Sequence, residues 1–213
     1  MTEAVDVLYA EKWWATYPPV TAWIARYQES EGASYRAPIV AALRALPPWT
    51  SLFEVGCHCG PMLRVVQQAF PEATISGCDV NAGALEAGRR LSPEVVTRLG
   101  AFPAVTADMP DGSVDVMLSC YVLAFVSPDM IDAALCEMAR VARVGIVLCE
   151  PMAWNPYQVE MIRQDRFVQY RHAYLDLMAA SSSYHGRVAR CETMDCGPTN
   201  LLNGLIAVEK TSA

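Results

Sequence analysis

The chain has 213 residues, of which 53% are apolar and 18% charged, so it is long enough for one large domain and too apolar to be disordered. Its net charge of −7, with basic residues spread along the chain, argues against nucleic acid or an anionic membrane as the partner. The longest nearly unbroken apolar run, residues 116–126, is too short to cross a bilayer.

The amino terminus and the cysteines favour a cytoplasmic protein. The first residues carry acidic rather than basic side chains, and no hydrophobic stretch with a small-residue cleavage site follows, as a secretory signal would require. The eight cysteines are scattered, and several lie inside apolar runs, which is typical of reduced, buried thiols. We therefore expect a cytoplasmic location.

An aromatic-rich segment opens the chain. Seven of its tryptophans and tyrosines lie in the first 35 positions, in a helical composition broken at Pro18 and Pro19. Such rings either pack a segment against the core or form a lid over a small-molecule pocket, and one segment can do both. We expect residues 1–48 to form a helical cap.

Short apolar strands then alternate with helical patterns, which predicts βαβ units on a parallel sheet. The predicted strands cover residues 51–55, 74–78, 95–99, 114–119 and 145–149. The predicted helices between them cover residues 61–70, 81–91 and 128–141.

The pattern changes after residue 150. A helix is predicted from about residue 158 to residue 180, followed by strands at residues 187–192 and 205–209. No helix separates these two strands, so they should pair antiparallel. The sequence therefore predicts a three-layer α/β domain with about seven strands, mainly parallel, of which the last two are antiparallel.

A glycine-containing turn joins the first predicted strand to the helix that follows. It reads Glu-Val-Gly-Cys-His-Cys-Gly from Glu54 to Gly60, and Pro61 can start the helix. Gly56 allows a tight turn, and the positive helix end suits a carboxylate-bearing ligand. Asp79 ends the second strand, where a carboxylate can accept hydrogen bonds from ribose hydroxyls. Together these features indicate an adenosine-containing cofactor.

These residues resemble the class I S-adenosylmethionine-dependent methyltransferases, whose first motif reads acidic-x-Gly-x-Gly-x-Gly and whose second strand ends in an acidic residue. The similarity spans roughly residues 50–150. Within it, residues 111–116 look like the turn into the family's fourth strand, and residues 137–141 look like the helix after that strand. The resemblance implies a Rossmann-like methyltransferase fold and S-adenosyl-L-methionine as the cofactor.

Two positions depart from the family pattern. His58 stands where the family has its middle glycine, so either the turn bends differently or the imidazole points away from the cofactor. Ala101 stands where an aspartate commonly meets the adenine. We prefer Ala101 and Phe102 as the adenine contact, and Asp108 is the alternative.

The resemblance also implies where the parts of the cofactor lie. The methionine part crosses the loop from Glu54 to Gly60, Asp79 holds the ribose, Val80 and Phe102 flank the adenine, and residues 119–121 border the sulfonium. The expected cofactor-binding residues are Glu54, Gly56, Cys57, His58, Gly60, Asp79, Val80, Ala101, Phe102, Ser119, Cys120 and Tyr121.

In this interpretation the chain is one methyltransferase domain. Residues 1–48 form the helical cap, residues 49–150 the cofactor-binding core, and residues 151–213 a substrate-side insertion with the antiparallel strands. The cap and residues 154–174 would roof a pocket for a small, partly apolar methyl acceptor. His172, on the predicted helix beyond the carboxyl edge of the sheet, is the candidate general base, because histidine titrates closest to neutrality.

Other interpretations stay open. An NAD(P)-binding oxidoreductase would share the glycine turn and Asp79, although the turn lacks the G-x-G-x-x-G spacing. A non-catalytic relative that binds without turnover is favoured by the departures at His58 and Ala101. A metal site at residues 57–59 is not expected, because no second pair of ligands follows at the spacing of structural zinc.

Overall fold

The computed structural model describes residues 7–16, 21–153, 160–164, 167–181, 186–195 and 202–211. Its helices are α1 (Val7–Thr16), α2 (Thr21–Glu29), α3 (Arg36–Ala45), α4 (Pro61–Ala69), α5 (Ala82–Leu91), α6 (Ile131–Val141) and α7 (Tyr174–Ala180). Its strands are β1 (Ser51–Val55), β2 (Thr74–Asp79), β3 (Val96–Leu99), β4 (Val114–Cys120), β5 (Ala142–Pro151), β6 (Glu160–Gln164), β7 (Phe167–Arg171), β8 (Gly186–Asp195) and β9 (Leu202–Lys210).

Seven strands form one mixed sheet in the order β3-β2-β1-β4-β5-β9-β8. Strands β1 to β5 pair in parallel, and β9 pairs antiparallel with both of its neighbours. The predicted fold class is confirmed, including the antiparallel last pair and the amino-terminal helices. The strand order reverses between β1 and β4, and open α/β sheets bind ligands at the carboxyl ends of the strands beside such a reversal.

The central strands are buried on both faces, as the continuous apolar runs predict. Neighbouring residues of β1 belong to two different core clusters. Leu52 packs with α3 and α4, and Phe53 packs with α6 and α7. Helices therefore cover both sides of the sheet. They leave its carboxyl edge as the place where loops from several strands meet.

The prediction of one long helix over residues 158–180 is wrong. Strands β6 and β7 form an antiparallel pair there, and α7 is the one helix among the residues of this range that the structure describes. The pair joins the end of β5, because Met152 bridges to His172 and the Ala153 N–H donates to the His172 carbonyl at 3.0 Å. The valine, phenylalanine and tyrosine of residues 167–171 suit a strand, and this backbone pairing decides between the two conformations.

In the part of the chain that the structure describes, no helix combines the length and the apolar character that a membrane span requires. The predicted roof of residues 154–174 lies partly outside the described residues, since residues 154–159, 165 and 166 are not among them.

Candidate active site

A cavity of about 700 Å³ lies at the carboxyl ends of β1, β2 and β4, beside the reversal in strand order. Loops after these strands and after β3 line it, together with residues of α1, α2, α3, α4 and β7. The predicted cofactor residues that line it are Glu54, Gly56, Cys57, His58, Asp79, Val80, Ala101, Phe102, Cys120 and Tyr121.

Three residues named from the sequence lie elsewhere. Gly60 caps the amino end of α4 with a φ of 74° and does not line this cavity. Ser119 is fully buried, and its hydroxyl donates to the Glu150 carboxylate at 2.7 Å. Asp108 forms a surface ion pair with Arg98 and is 72% exposed, so it does not reach the cavity.

His58 adopts the left-handed backbone conformation, with a φ of 50°. A glycine reaches this region without strain, so the turn keeps the shape that the family's glycine would give it. The imidazole lines the cavity and stacks on Tyr27 of α2, with the ring centroids 4.1 Å apart. Burial lowers the pKa of His58, and the nearby Asp79 carboxylate opposes that shift.

The backbone N–H groups of the glycine turn are largely used inside the protein. Cys57 N–H donates to the Cys78 carbonyl at 2.8 Å, and Gly60 N–H donates to the Cys57 carbonyl at 2.8 Å. His58 N–H donates to Asp79 Oδ2 at 2.8 Å. Helix α4 then begins with Pro61, which has no N–H. The N–H groups of Cys57, His58 and Gly60 are therefore not available to a phosphate group.

Asp79 connects this turn to the start of α5. Its Oδ2 accepts from His58 N–H, and its Oδ1 accepts from Asn81 N–H at 2.8 Å. A carboxylate has about four lone-pair positions, so both oxygens can still accept from a ligand. Burial raises the pKa of Asp79, and these backbone donors oppose the rise.

Glu54 faces the cavity from the end of β1. The residue is 4% exposed, and its Oε2 has no hydrogen-bond partner in the described part of the chain. Burial raises the pKa of Glu54 to about 8, although the Arg36 guanidinium opposes the shift. A buried carboxylate oxygen without a partner is costly, so this atom is suited to a positively charged or N–H-bearing ligand group.

Arg36 is a lining residue that the sequence analysis missed. It begins α3 and is buried, with Nε and Nη2 donating to the Ser30 carbonyl and hydroxyl at 2.5 and 2.7 Å. Among the described lining residues it is the one arginine or lysine, against the carboxylates of Glu11, Glu54 and Asp79. The lining therefore favours a ligand with net positive charge.

Aromatic residues of the amino-terminal helices line one side of the cavity. Trp14 meets Phe125 edge to face at 5.4 Å, and Tyr35 meets Tyr121 at 6.0 Å. The Asn81 side chain also donates to the Trp14 carbonyl at 2.9 Å. The helices thus pack on the loops after β2 and β4, and their rings also line the cavity. These aromatic residues serve both packing and pocket formation.

Glu150 holds the segment after β4, which we call the β4 loop (residues 121–126). Its carboxylate is fully buried and accepts from the N–H groups of Val122, Leu123 and Ala124 at 2.9, 3.1 and 3.3 Å. Burial raises the pKa of Glu150 to about 7, and these donors oppose the rise. A glutamate inside the apolar run of β5 was the signal that could have identified it.

His172 contacts the β4 loop from the opposite side. It is 1% exposed, does not line the cavity, and its Nε2 donates to the Val126 carbonyl at 2.9 Å. Burial lowers the pKa of His172. The expectation that it lies on a helix is wrong, because it follows β7 and precedes α7. Its role as a general base stays a prediction.

Comparison with known proteins identifies the domain. Residues 52–145 match a family model described as a methyltransferase domain. No curated protein matches the chain in sequence.

Solved structures share the fold over nearly the whole chain. Magnesium protoporphyrin IX methyltransferase from Synechocystis PCC 6803, with bound S-adenosylmethionine, has a TM-score of 0.68 at 14% identity and covers 99% of this chain and 100% of its own. The 1,6-didemethyltoxoflavin-N1-methyltransferase of Burkholderia thailandensis, with S-adenosylhomocysteine, has a TM-score of 0.70 at 13% identity and covers 97% of this chain and 88% of its own. Residues 52–145 therefore match a methyltransferase domain, and the chain has the fold of S-adenosylmethionine-dependent methyltransferases.

Proposed function

We propose that the protein transfers the methyl group of S-adenosylmethionine to a small, partly apolar acceptor bound under the aromatic cap. The observation that carries this proposal is the Glu54 carboxylate, buried and with Oε2 unpartnered among the described residues, facing a cavity that Asp79 also lines. Glu54 Oε2 suits an ammonium group, and the Asp79 carboxylate suits vicinal hydroxyls. Both groups belong to S-adenosylmethionine.

The cofactor would be held along the loops after β1, β2 and β3. Glu54 accepts from its amino group, Asp79 accepts from the ribose hydroxyls, and Arg36 is the cation available for its carboxylate. The described lining near the adenine comes from Val80, Ala101 and Phe102. When bound, S-adenosylmethionine supplies a methyl group activated by its sulfonium, and residues 120 and 121 border that end of the cavity.

The same features disfavour a nicotinamide dinucleotide. Its pyrophosphate would need free N–H donors at the glycine turn, but those of Cys57, His58 and Gly60 already donate within the protein. The pyrophosphate would also lie beside the Asp79 carboxylate. Like charges at such short range in a buried site oppose binding.

Methyl transfer depends mainly on alignment of the acceptor with the methyl group. The chain contributes a β4 loop held by Glu150 and His172, and aromatic rings of the amino-terminal helices that line the cavity. His172 lies behind the cavity wall, so we assign it to positioning Val126 rather than to proton removal. This arrangement suits an acceptor that needs no strong base.

A small acceptor is supported by the aromatic lining of the cavity and by the structural neighbours. One neighbour is a geranyl diphosphate methyltransferase in complex with its substrate, with a TM-score of 0.63 at 16% identity. The toxoflavin and porphyrin enzymes also take single small molecules. A cavity of about 700 Å³ lined partly by α1 and α2 has the size of a site for small molecules.

Asp79→Ala should weaken binding of S-adenosylhomocysteine by about 1 to 3 kcal/mol, because hydrogen bonds to a buried charged group are lost. Isothermal titration calorimetry measures the change. Asp108→Ala is the matched control and should bind like the wild type, since Asp108 lies on the surface. Full affinity in the Asp79 variant would overturn the assigned cofactor site.

Glu54 should make cofactor binding depend on pH. With a pKa of about 8, its carboxyl is mainly protonated at pH 7 in the ligand-free protein, and an ammonium group favours the ionised form. Binding should therefore release a proton, and affinity should rise between pH 6 and pH 8 by up to about tenfold per unit. Titrations with S-adenosylhomocysteine at several pH values measure this slope.

Glu54→Gln is the control for the pH dependence of affinity. The ligand titrates in the same way in both proteins, but the variant has no carboxyl at position 54. Its affinity should be lower and nearly flat across the same range. An equal slope in the wild type and the variant would show that Glu54 does not meet the amino group.

His172→Gln should lower turnover by less than about tenfold, because the glutamine amide can still donate to the Val126 carbonyl, whereas His172→Leu should lower it further. The release of S-adenosylhomocysteine during turnover is the measurement. A fall of about 10² or more in the glutamine variant, with cofactor affinity intact, would instead identify His172 as the general base.

A further inference from the structure

Building on the proposed function, we propose that the methyl acceptor is a planar, neutral or cationic compound that donates a hydrogen bond to Gln169, and that the site rejects anionic compounds. Part of the cavity wall has no contact assigned to the cofactor. We call it the acceptor wall, and its members are Glu11, Trp14, Phe125, Val126, Met130 and Gln169.

The acceptor wall is separate from the residues assigned to the cofactor. Its members come from α1, from the chain between β4 and α6, and from β7, whereas the loops after β1, β2 and β3 supply the proposed cofactor contacts. The Trp14 and Phe125 rings meet at 5.4 Å, and His172, just after β7, bonds to the Val126 carbonyl. These contacts bring the three parts of the wall together.

Gln169 gives the wall its directional polar group. The residue is 9% exposed and lines the cavity, and its Oε1 has no hydrogen-bond partner in the described residues. Buried amide oxygens are nearly always bonded, because leaving one unbonded costs about 1 to 3 kcal/mol. An amide oxygen only accepts, so the ligand group that satisfies it must be an N–H or O–H donor.

The charge of the wall excludes anions. Its charged member among the described residues is Glu11, whose carboxylate is exposed. Arg36 lies at the cofactor end and is bonded to Ser30. A carboxylate or phosphate on the acceptor would therefore lose its water without meeting a cation.

The rings of the wall favour a flat and electron-poor or cationic partner. Trp14 and Phe125 pack edge to face, and Met130 adds a polarisable thioether. Aromatic faces attract planar ligands and cations, and the flexible methionine side chain adapts to ligands of irregular shape. Nitrogen compounds with a planar ring and an N–H group match all of these properties.

Three probes with one ring system and different charges test the inference. Indole is neutral, tryptamine is cationic, and indole-3-acetate is anionic at pH 7. Each is titrated calorimetrically into the protein saturated with S-adenosylhomocysteine. We expect indole and tryptamine to bind, tryptamine more tightly, and indole-3-acetate to bind at least about tenfold more weakly than indole.

Two variants locate the contacts. Gln169→Met has nearly the same volume but no acceptor, and it should weaken the binding of indole by about fivefold or more while leaving S-adenosylhomocysteine affinity unchanged. Glu11→Gln should reduce the preference for tryptamine over indole. If Gln169→Met fails to fold, Gln169→Glu tests the same contact. This variant should strengthen tryptamine binding and weaken indole-3-acetate binding further.

The outcomes separate this inference from the proposed function. A wild-type protein that does not bind S-adenosylhomocysteine overturns the proposed function itself. Normal S-adenosylhomocysteine binding overturns this inference alone if indole-3-acetate binds as tightly as tryptamine, if none of the probes binds, or if loss of the Gln169 acceptor leaves indole binding unchanged.

Discussion

The paired hydrogen bonds of Asp79 hold the site together. One carboxylate oxygen fixes the His58 N–H and with it the left-handed turn after β1, and the other fixes Asn81 at the start of α5. Asn81 in turn donates to the Trp14 carbonyl, so helix α1 is connected to Asp79 through Asn81. The cofactor loop, the proposed ribose contact and the packing of the aromatic helices therefore depend on one side chain.

Buried carboxylates serve different purposes at neighbouring strand ends. Glu54 keeps one oxygen unpartnered within the described chain and faces the cavity, which makes it suited to a ligand. Glu150 is satisfied by Ser119 and three backbone N–H groups, which makes it structural. Asp79 does both. Hydrogen-bond partners, rather than burial or residue type, separate the binding groups from the structural ones.

The sequence predicts the parts of the site that follow from local pattern. The alternation of strands and helices gave the sheet, and the spacing of Gly56 and Asp79 located two of the loops that line the cavity. Arg36 and Gln169 could not be found in this way, because they reach the cavity from elements whose docking is decided by tertiary packing. Likewise, the β6–β7 pair replaces the predicted helix because its backbone pairs with the end of β5.

A crystal structure with S-adenosylhomocysteine tests the central claim most directly. We predict the ligand amino nitrogen within about 3.2 Å of Glu54 Oε2, both ribose hydroxyls on Asp79, and the adenine between Val80 and Phe102. A ligand bound with its adenine toward Asp108, or one that leaves the Glu54 carboxylate without a contact, would contradict the account.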